Sequence, residues 1–223
     1  MARLEWDKIG ERRYETGVDR GVLYVQDPSD GSYTDGVVWN GLTAVNQTPT
    51  GGEANAQYAD NIKYLNLVSN EEFEATIEAF TYPKEFMVCD GTAAPTDGVY
   101  VGQQTRRGFG FAYRTLIGND VSGTDYGYKI HMVWGALASP SEKPASTVNE
   151  SPEATTFSWS VTTTPVAVGT IATVEYRPTA HIAIDSTEVD PADLTALETL
   201  LWGGEEAANP QLPSPSEVIA LFT

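Results

Sequence analysis

Hydrophobic and polar residues alternate cleanly from Glu72 to Phe80. Phe73, Ala75, Ile77 and Ala79 fall on one side, and Glu72, Glu74, Thr76 and Glu78 on the other. Strand side chains have a period of two, so the pattern predicts a half-buried strand with an acidic outer face. Thr156 to Thr164 alternates in the same way, with Phe157, Trp159 and Val161 on one face. Shorter β-rich runs lie at Val22–Val25, at Val37–Asn40 after the turn dipeptide Asp35-Gly36, and at Tyr128–Leu137 and Thr179–Ile184. Gly98–Gln104 and Gly108–Ile117 read as neighbouring strands joined through Arg106-Arg107. Pro83–Cys89 reads as one helical turn with Pro83 at its first position.

The helical period is confined to the end of the chain. Asp190-Pro191-Ala192-Asp193 combines an N-cap, a proline at the first helical position and an early acid. Leu194, Leu197 and Leu201 then share one face, with Leu200 beside it, and Gly203-Gly204 stops the run. Ser214-Pro215-Ser216-Glu217 is a capping box ahead of Val218, Ile219 and Leu221. Two long segments lack either period. Residues 41–57 are rich in Thr, Gly, Asn and Pro and read as a long loop or extended hairpin; Ser139–Pro152 holds three prolines and reads as a second loop. The fold class is therefore mainly β (α+β), one domain with C-terminal helices packed on it.

Composition adds a charge argument. The chain has 223 residues, 41% of them hydrophobic, which suits a folded domain with a sizeable core. Its net charge is −18, from 31 acidic and 13 basic residues. So few bases argue against gripping nucleic acid through phosphates, and against docking on an anionic membrane. Before Gly21 five bases (Arg3, Lys8, Arg12, Arg13, Arg20) meet five acids (Glu5, Asp7, Glu11, Glu15, Asp19). A docking arm and a solvated tail both fit that neutral, charge-dense start. Cys89 is the only cysteine, so no intramolecular disulfide is possible. No secretory h-region and no apolar stretch of membrane-spanning length is evident.

A search for chemistry finds no constellation that points to an enzyme. His131 and His181 lie in separate predicted strands among apolar residues and read as core or sheet-face residues. No His-x-x-x-His or Cys-x-x-Cys spacing exists, and no cofactor or metal is implied. Asp27–Ser32 lacks the alternating ligands of a calcium loop, and Gly108-Phe109-Gly110 follows no strand-to-helix pattern. Both read as turn or strand geometry. Asn46-Gln47-Thr48 and Asn149-Glu150-Ser151 match glycosylation sequons by chance.

Several segments, in order along most of the chain, resemble the major tail tube proteins of siphophages of Gram-positive hosts. They are the opening Trp6–Tyr24, Tyr82–Phe86 with Cys89-Asp90-Gly91, Gly127–Pro144, Pro178–His181 and the Leu-rich helix 194–201. The resemblance implies a β-sandwich or barrel tail-tube fold with a flanking C-terminal helix, long inter-subunit loops and an N-terminal arm. It divides the chain into an inter-ring arm, 1–16, and a single domain, 17–223. It also implies a virion protein, made in the host bacterial cytoplasm, that forms stacked rings, usually hexameric. The partners it implies are further copies, a tape-measure protein, tail terminator and baseplate proteins, and DNA in transit without specific binding.

Physical chemistry then suggests where residues would sit in such a tube. Duplex DNA carries one negative charge per roughly 1.7 Å, so a basic wall would hold it and an acidic wall would repel it. Glu72, Glu74 and Glu78 are the expected lumen-lining residues. Trp6, Glu11, Arg12, Arg13 and Tyr14 are the expected inter-ring contacts of the arm. A carbohydrate- or protein-binding β-sandwich module is the competing reading, and a carboxylate hydrolase a more distant one.

Overall fold

The structure, a computed structural model, describes residues 3–148, 150, 153–171, 174–204 and 209–223. Residues 1 and 2 of the expected arm, residues 149, 151 and 152 of the predicted 139–152 loop, and thus two residues of the second sequon lie outside the described residues. Eight strands form the main sheet: β1 (Arg13–Val25), β2 (Val37–Trp39), β3 (Leu42–Gln47), β4 (Glu74–Ala79), β5 (Phe109–Asn119), β6 (Gly123–Ala138), β7 (Phe157–Thr163) and β8 (His181–Asp185). Two helices follow, α1 (Pro191–Trp202) and α2 (Pro215–Leu221). The fold is mainly β with C-terminal helices, as the hydrophobic periods predict.

The strand order is β2-β1-β5-β6-β7-β4-β3, with β8 beside β6 off that path, and every pairing is antiparallel. The two ends of this path, β2 and β3, are separated by only Asn40 and Gly41. The sheet therefore rolls round on itself. Closure is tight where β1 meets β3: a Cβ on Gly21 would fall 2.3 Å from the Leu42 side chain.

Inside the roll lies an aromatic core. Phe86, on a 3₁₀ turn over Lys84–Val88, sits 4.6 Å from the Trp39 ring, 5.2 Å from Trp159 and 5.5 Å from Phe109. Tilted and edge-to-face rings at these separations match the aromatic quadrupole. Pro83 stands just before this turn rather than inside it, because its extended ψ of 153° sets the entry. On the other side of β1, β5 and β6, Val22, Tyr24, Ala112, Ile130, Met132 and Trp134 pack against Leu194, Leu197 and Leu201 of α1 and Val218 of α2. Val22–Tyr24 of β1, Phe109–Tyr113 of β5 and Ile130–Trp134 of β6 are thus buried on both faces, which is why these stretches read as near-continuous apolar runs, interrupted in β6 only by His131.

Both helix signals are realised. The Asp190 carboxylate accepts from the Ala192 N–H at 2.8 Å, and Gly203 ends α1 at φ +82°. Ser214 and Glu217 close a reciprocal capping box on α2. Two buried side-chain bonds fasten the helical layer: Tyr24 donates to the Leu201 carbonyl at 2.6 Å, and Trp134 to that of Pro213 at 2.8 Å.

Of the two readings open for 41–57, a long loop or an extended hairpin, the structure has the second: β3 is followed by a projecting hairpin that continues to Glu72. Two other expectations are corrected. Val99–Val101 does not neighbour β5; it folds back on Ala93–Thr96 as a separate hairpin about Asp97-Gly98. And β1 starts at Arg13, nine residues earlier than its apolar run, because its first part pairs with β5 through polar residues.

Candidate functional site: a polar sheet face and projecting ribbons

Among the described residues, the β3-β4-β7 side of the roll carries no helix on its outer face. Ala75, Ile77 and Ala79 are buried within, while Glu74, Thr76 and Glu78 point outward. Across the strands Glu78 sits opposite Ser158 and Ala44, Thr76 opposite Ser160 and Asn46, and Glu74 opposite Thr162. No lysine or arginine occupies this patch, and neither carboxylate forms an ion pair among the described residues. The result is a flat surface of short polar side chains with two unneutralised acids. Glu72 departs from it. β4 begins at Glu74, and Glu71–Glu72 pairs instead with Thr50–Gly51 at the root of the projecting hairpin. Phe73, between the two, turns inward onto the core. The alternation seen in the sequence thus continues through the break, but two different ribbons share it.

The N-terminal segment lies across the opposite end of the sheet. Gly10 is its anchor: its N–H donates to Asp120 at 2.9 Å and its carbonyl accepts from Asn119 at 3.2 Å. Trp6 is 77% exposed, Leu4 and Ile9 similarly so. Arg12 donates to the Asp7 carbonyl at 3.1 Å, and Lys8 pairs with Glu5 at 3.3 Å. Glu11 is exposed beside them. Arg13 and Tyr14 are part of β1, opposite Asn119 and Gly118. The Arg13 guanidinium rests over the Tyr126 ring, and the Tyr14 ring covers Gly118. The segment outside the sheet is therefore 3–12, and residues 13–16 are the first four of β1.

The hairpin of Ala54–Ala59 and Ile62–Val68 continues outward from the Thr50–Gly51 and Glu71–Glu72 root. It turns at Asp60-Asn61, both with positive φ (51° and 62°), as a two-residue hairpin turn requires. Tyr58, Ile62, Tyr64, Leu67 and Val68 are each more than half exposed. A lone two-stranded ribbon is marginal in water, and large apolar side chains on both its faces leave it without a core of its own. Shorter ribbons at Ala93–Thr96 with Val99–Val101 and at Gly169–Ile171 with Val174–Tyr176 also expose aromatic or β-branched residues. Nothing in the period of 54–68 distinguishes it from a strand pair packed on a core; only its position off the sheet shows that it is unpartnered.

The two histidines, far apart in sequence, meet. The β6–β8 register places His131 opposite Ala183 and Val133 opposite His181, which brings His131 Nδ1 within 3.2 Å of His181 Nε2. Thr115 lies 3.0 Å from His131 Nε2. Burial lowers both imidazoles to a pKa of about 4, so they are neutral at neutral pH. The buried Asp90 carboxylate is held by Lys143 and, at 3.6 Å, by Arg106. Burial pushes the adjacent Cys89 thiol up to about 12, which leaves it unreactive. These groups are paired and enclosed, which suits fastening of the scaffold. Among the described residues no three His, Cys, Asp or Glu side chains gather as a metal site would need. No described helix is long and apolar enough to cross a membrane.

No protein-family model and no curated protein matches the chain. Among solved structures it is similar to a chain of the anti-feeding prophage baseplate, determined by cryo-EM with six-fold symmetrisation. The TM-score is 0.37 at 7% identity, over 81% of this chain and 97% of that one. It is also similar to a chain of the sheath–tube complex of an extracellular contractile injection system in its extended state. There the TM-score is 0.31 at 12% identity, over 74% of this chain and 88% of that one. Likenesses this low do not establish a shared fold.

Proposed function

We propose that this chain is the structural subunit of a bacteriophage tail tube, polymerising as stacked, six-membered rings whose acidic lumen conducts the genome. The observation that carries the reading is a compact roll from which several ribbons project with large apolar side chains uncovered, beside a flat polar face that bears acids and no bases. An isolated monomer has no use for uncovered ribbons; repeated heterologous contacts that do not close make a filament. The ordered resemblance of the sequence to siphophage tube proteins supports the same reading.

In this assembly the Glu74–Glu78 face lines the lumen, with Glu72 at its rim, and repels the DNA backbone within a screening length of about 8–10 Å. The 54–68 hairpin and the 3–12 segment reach neighbouring copies. Trp6 supplies apolar area, Glu11 and Arg12 weak but repeated ion pairs, and Arg13 and Tyr14 fix where the segment leaves the sheet. Tape-measure, terminator and baseplate proteins would meet the tube in its interior and at its ends. Negative-stain electron microscopy across a concentration series tests the proposal. Rings or hollow tubes of uniform width are expected. A chain that stays monomeric at high concentration and binds an immobilised glycan would replace it with a binding module.

A further inference from the structure

Both feet of the projecting hairpin stand on the histidine pair. On the outgoing side, Gln47 at the end of β3 donates to the Tyr113 hydroxyl at 2.7 Å and approaches His131 Nδ1 at 3.4 Å. On the returning side, Phe73 stacks on His181 with centroids 4.7 Å apart and planes 12° off parallel. The rings continue in one column. His181 lies 5.4 Å from His131, and His131 lies 4.7 Å from Tyr113, each nearly parallel to the next. Thr163 further ties the Phe73 carbonyl at 2.6 Å. Residues 48–72 enter and leave the domain between these feet.

We propose that the column Tyr113–His131–His181–Phe73 is an acid-sensitive clamp: neutral, it fixes the direction of the hairpin, and protonated, it lets the hairpin swing. The chemistry lies in the shared hydrogen bond. A neutral pair needs one ring to donate and the other to accept across 3.2 Å. Gln47 offers a further N–H to the same His131 nitrogen. Once both imidazoles are protonated, donors face donors and two positive charges lie in contact in a buried site. The cheapest relief is for Phe73 and Gln47 to withdraw, since both sit at the domain's margin. Few charges nearby could offset this. β1 presents Glu15 and β6 presents Lys129, which are paired with each other and act on His131 in opposite senses. β5 and β3 present only the uncharged Tyr113, Thr115 and Gln47. Glu71 and Arg177 line the cleft over His181, again one of each sign. The column is independent of the tube proposal and holds for a monomer.

The test is a spin-label distance measurement on the full chain, with labels at Asp60→Cys on the hairpin tip and Ala196→Cys on α1; the buried Cys89 is left in place. The expected result is one narrow distance at pH 7 that begins to broaden near pH 4 and reaches about two-fold below it, while far-ultraviolet circular dichroism is retained. The double variant His131→Gln, His181→Gln should show the same width at both pH values. Phe73→Ala, which leaves the histidines intact, should be broad at both. A parent distribution that is broad at pH 7, or that never broadens, overturns the clamp. So does loss of the whole sheet signal before broadening, or an undiminished pH response in the double variant.

Discussion

A Cβ at Gly135 would lie 2.2 Å from the Thr164 carbonyl oxygen, and the residue holds φ +61°. Both constraints come from a bulge. Phe109 and Phe111 of β5 pair with Ala136 and Val133 of β6, two positions against three. The extra residue reverses which face each later side chain meets. Before it, even-numbered Ile130, Met132 and Trp134 face the helices; after it, even-numbered Ala136 and Ala138 face the roll. Gly135→Ala should therefore cost about 2–4 kcal/mol in urea unfolding, well beyond an ordinary Gly-to-Ala change. The histidines make a second residue-scale prediction. Each has a folded pKa of about 4 against 6.5 unfolded, so the unfolded chain binds more protons between those values. Stability should be level above about pH 6.5 and fall as pH drops towards about 4; His131→Gln, His181→Gln should flatten that slope in chemical denaturation. Neither feature is legible in the sequence, since a glycine in an apolar run and two scattered histidines acquire their roles only from register.

At the scale of elements, the helices were almost wholly legible. Caps, proline positions and leucine spacing act within a few residues, so they can be read without knowing the fold. Asp190→Ala removes the acceptor for the Ala192 N–H and should destabilise the protein by about 1 kcal/mol, seen as a lower urea midpoint with an unchanged slope. Strands were legible as runs but not as pairs. Val99–Val101 reads as a partner of β5 because it precedes it closely; it instead turns back at Asp97-Gly98, where Gly98 supplies φ +80°. The mostly polar first half of β1 has no apolar run, yet it is held by pairing with β5 and by the bidentate Arg114–Asp19 contact at 2.7 and 2.5 Å.

For the whole molecule, the question is which segments the domain can do without. Residues 3–12 touch the sheet chiefly through Gly10, whereas 13–16 are strand. A chain starting at Arg13 should melt within a few degrees of the parent and assemble poorly in the same electron micrographs. Removal of 13–16 as well should lower stability, because it strips four paired residues from β5. Normal tubes from the shorter truncation would end the arm's proposed role. The candidate site was legible in part. Glu74 and Glu78 could be placed on an outer face from alternation alone, whereas the separation of Glu72 from them, and the exposure of the 54–68 hairpin, could not.

The sequence alone determined the mainly β class, the starts of both helices and the end of the first, the inward and outward faces of β4 and β7, and a net charge of −18. These follow from interactions between residues close in sequence, or from sums over composition. The tertiary structure decided the roll-up of the sheet, the double burial of the apolar stretches of β1, β5 and β6, the meeting of His131 with His181, and which apolar ribbons are left uncovered. Each depends on pairing between residues tens of positions apart. A period of two specifies that a strand has an inner face, but only register specifies what lies against it.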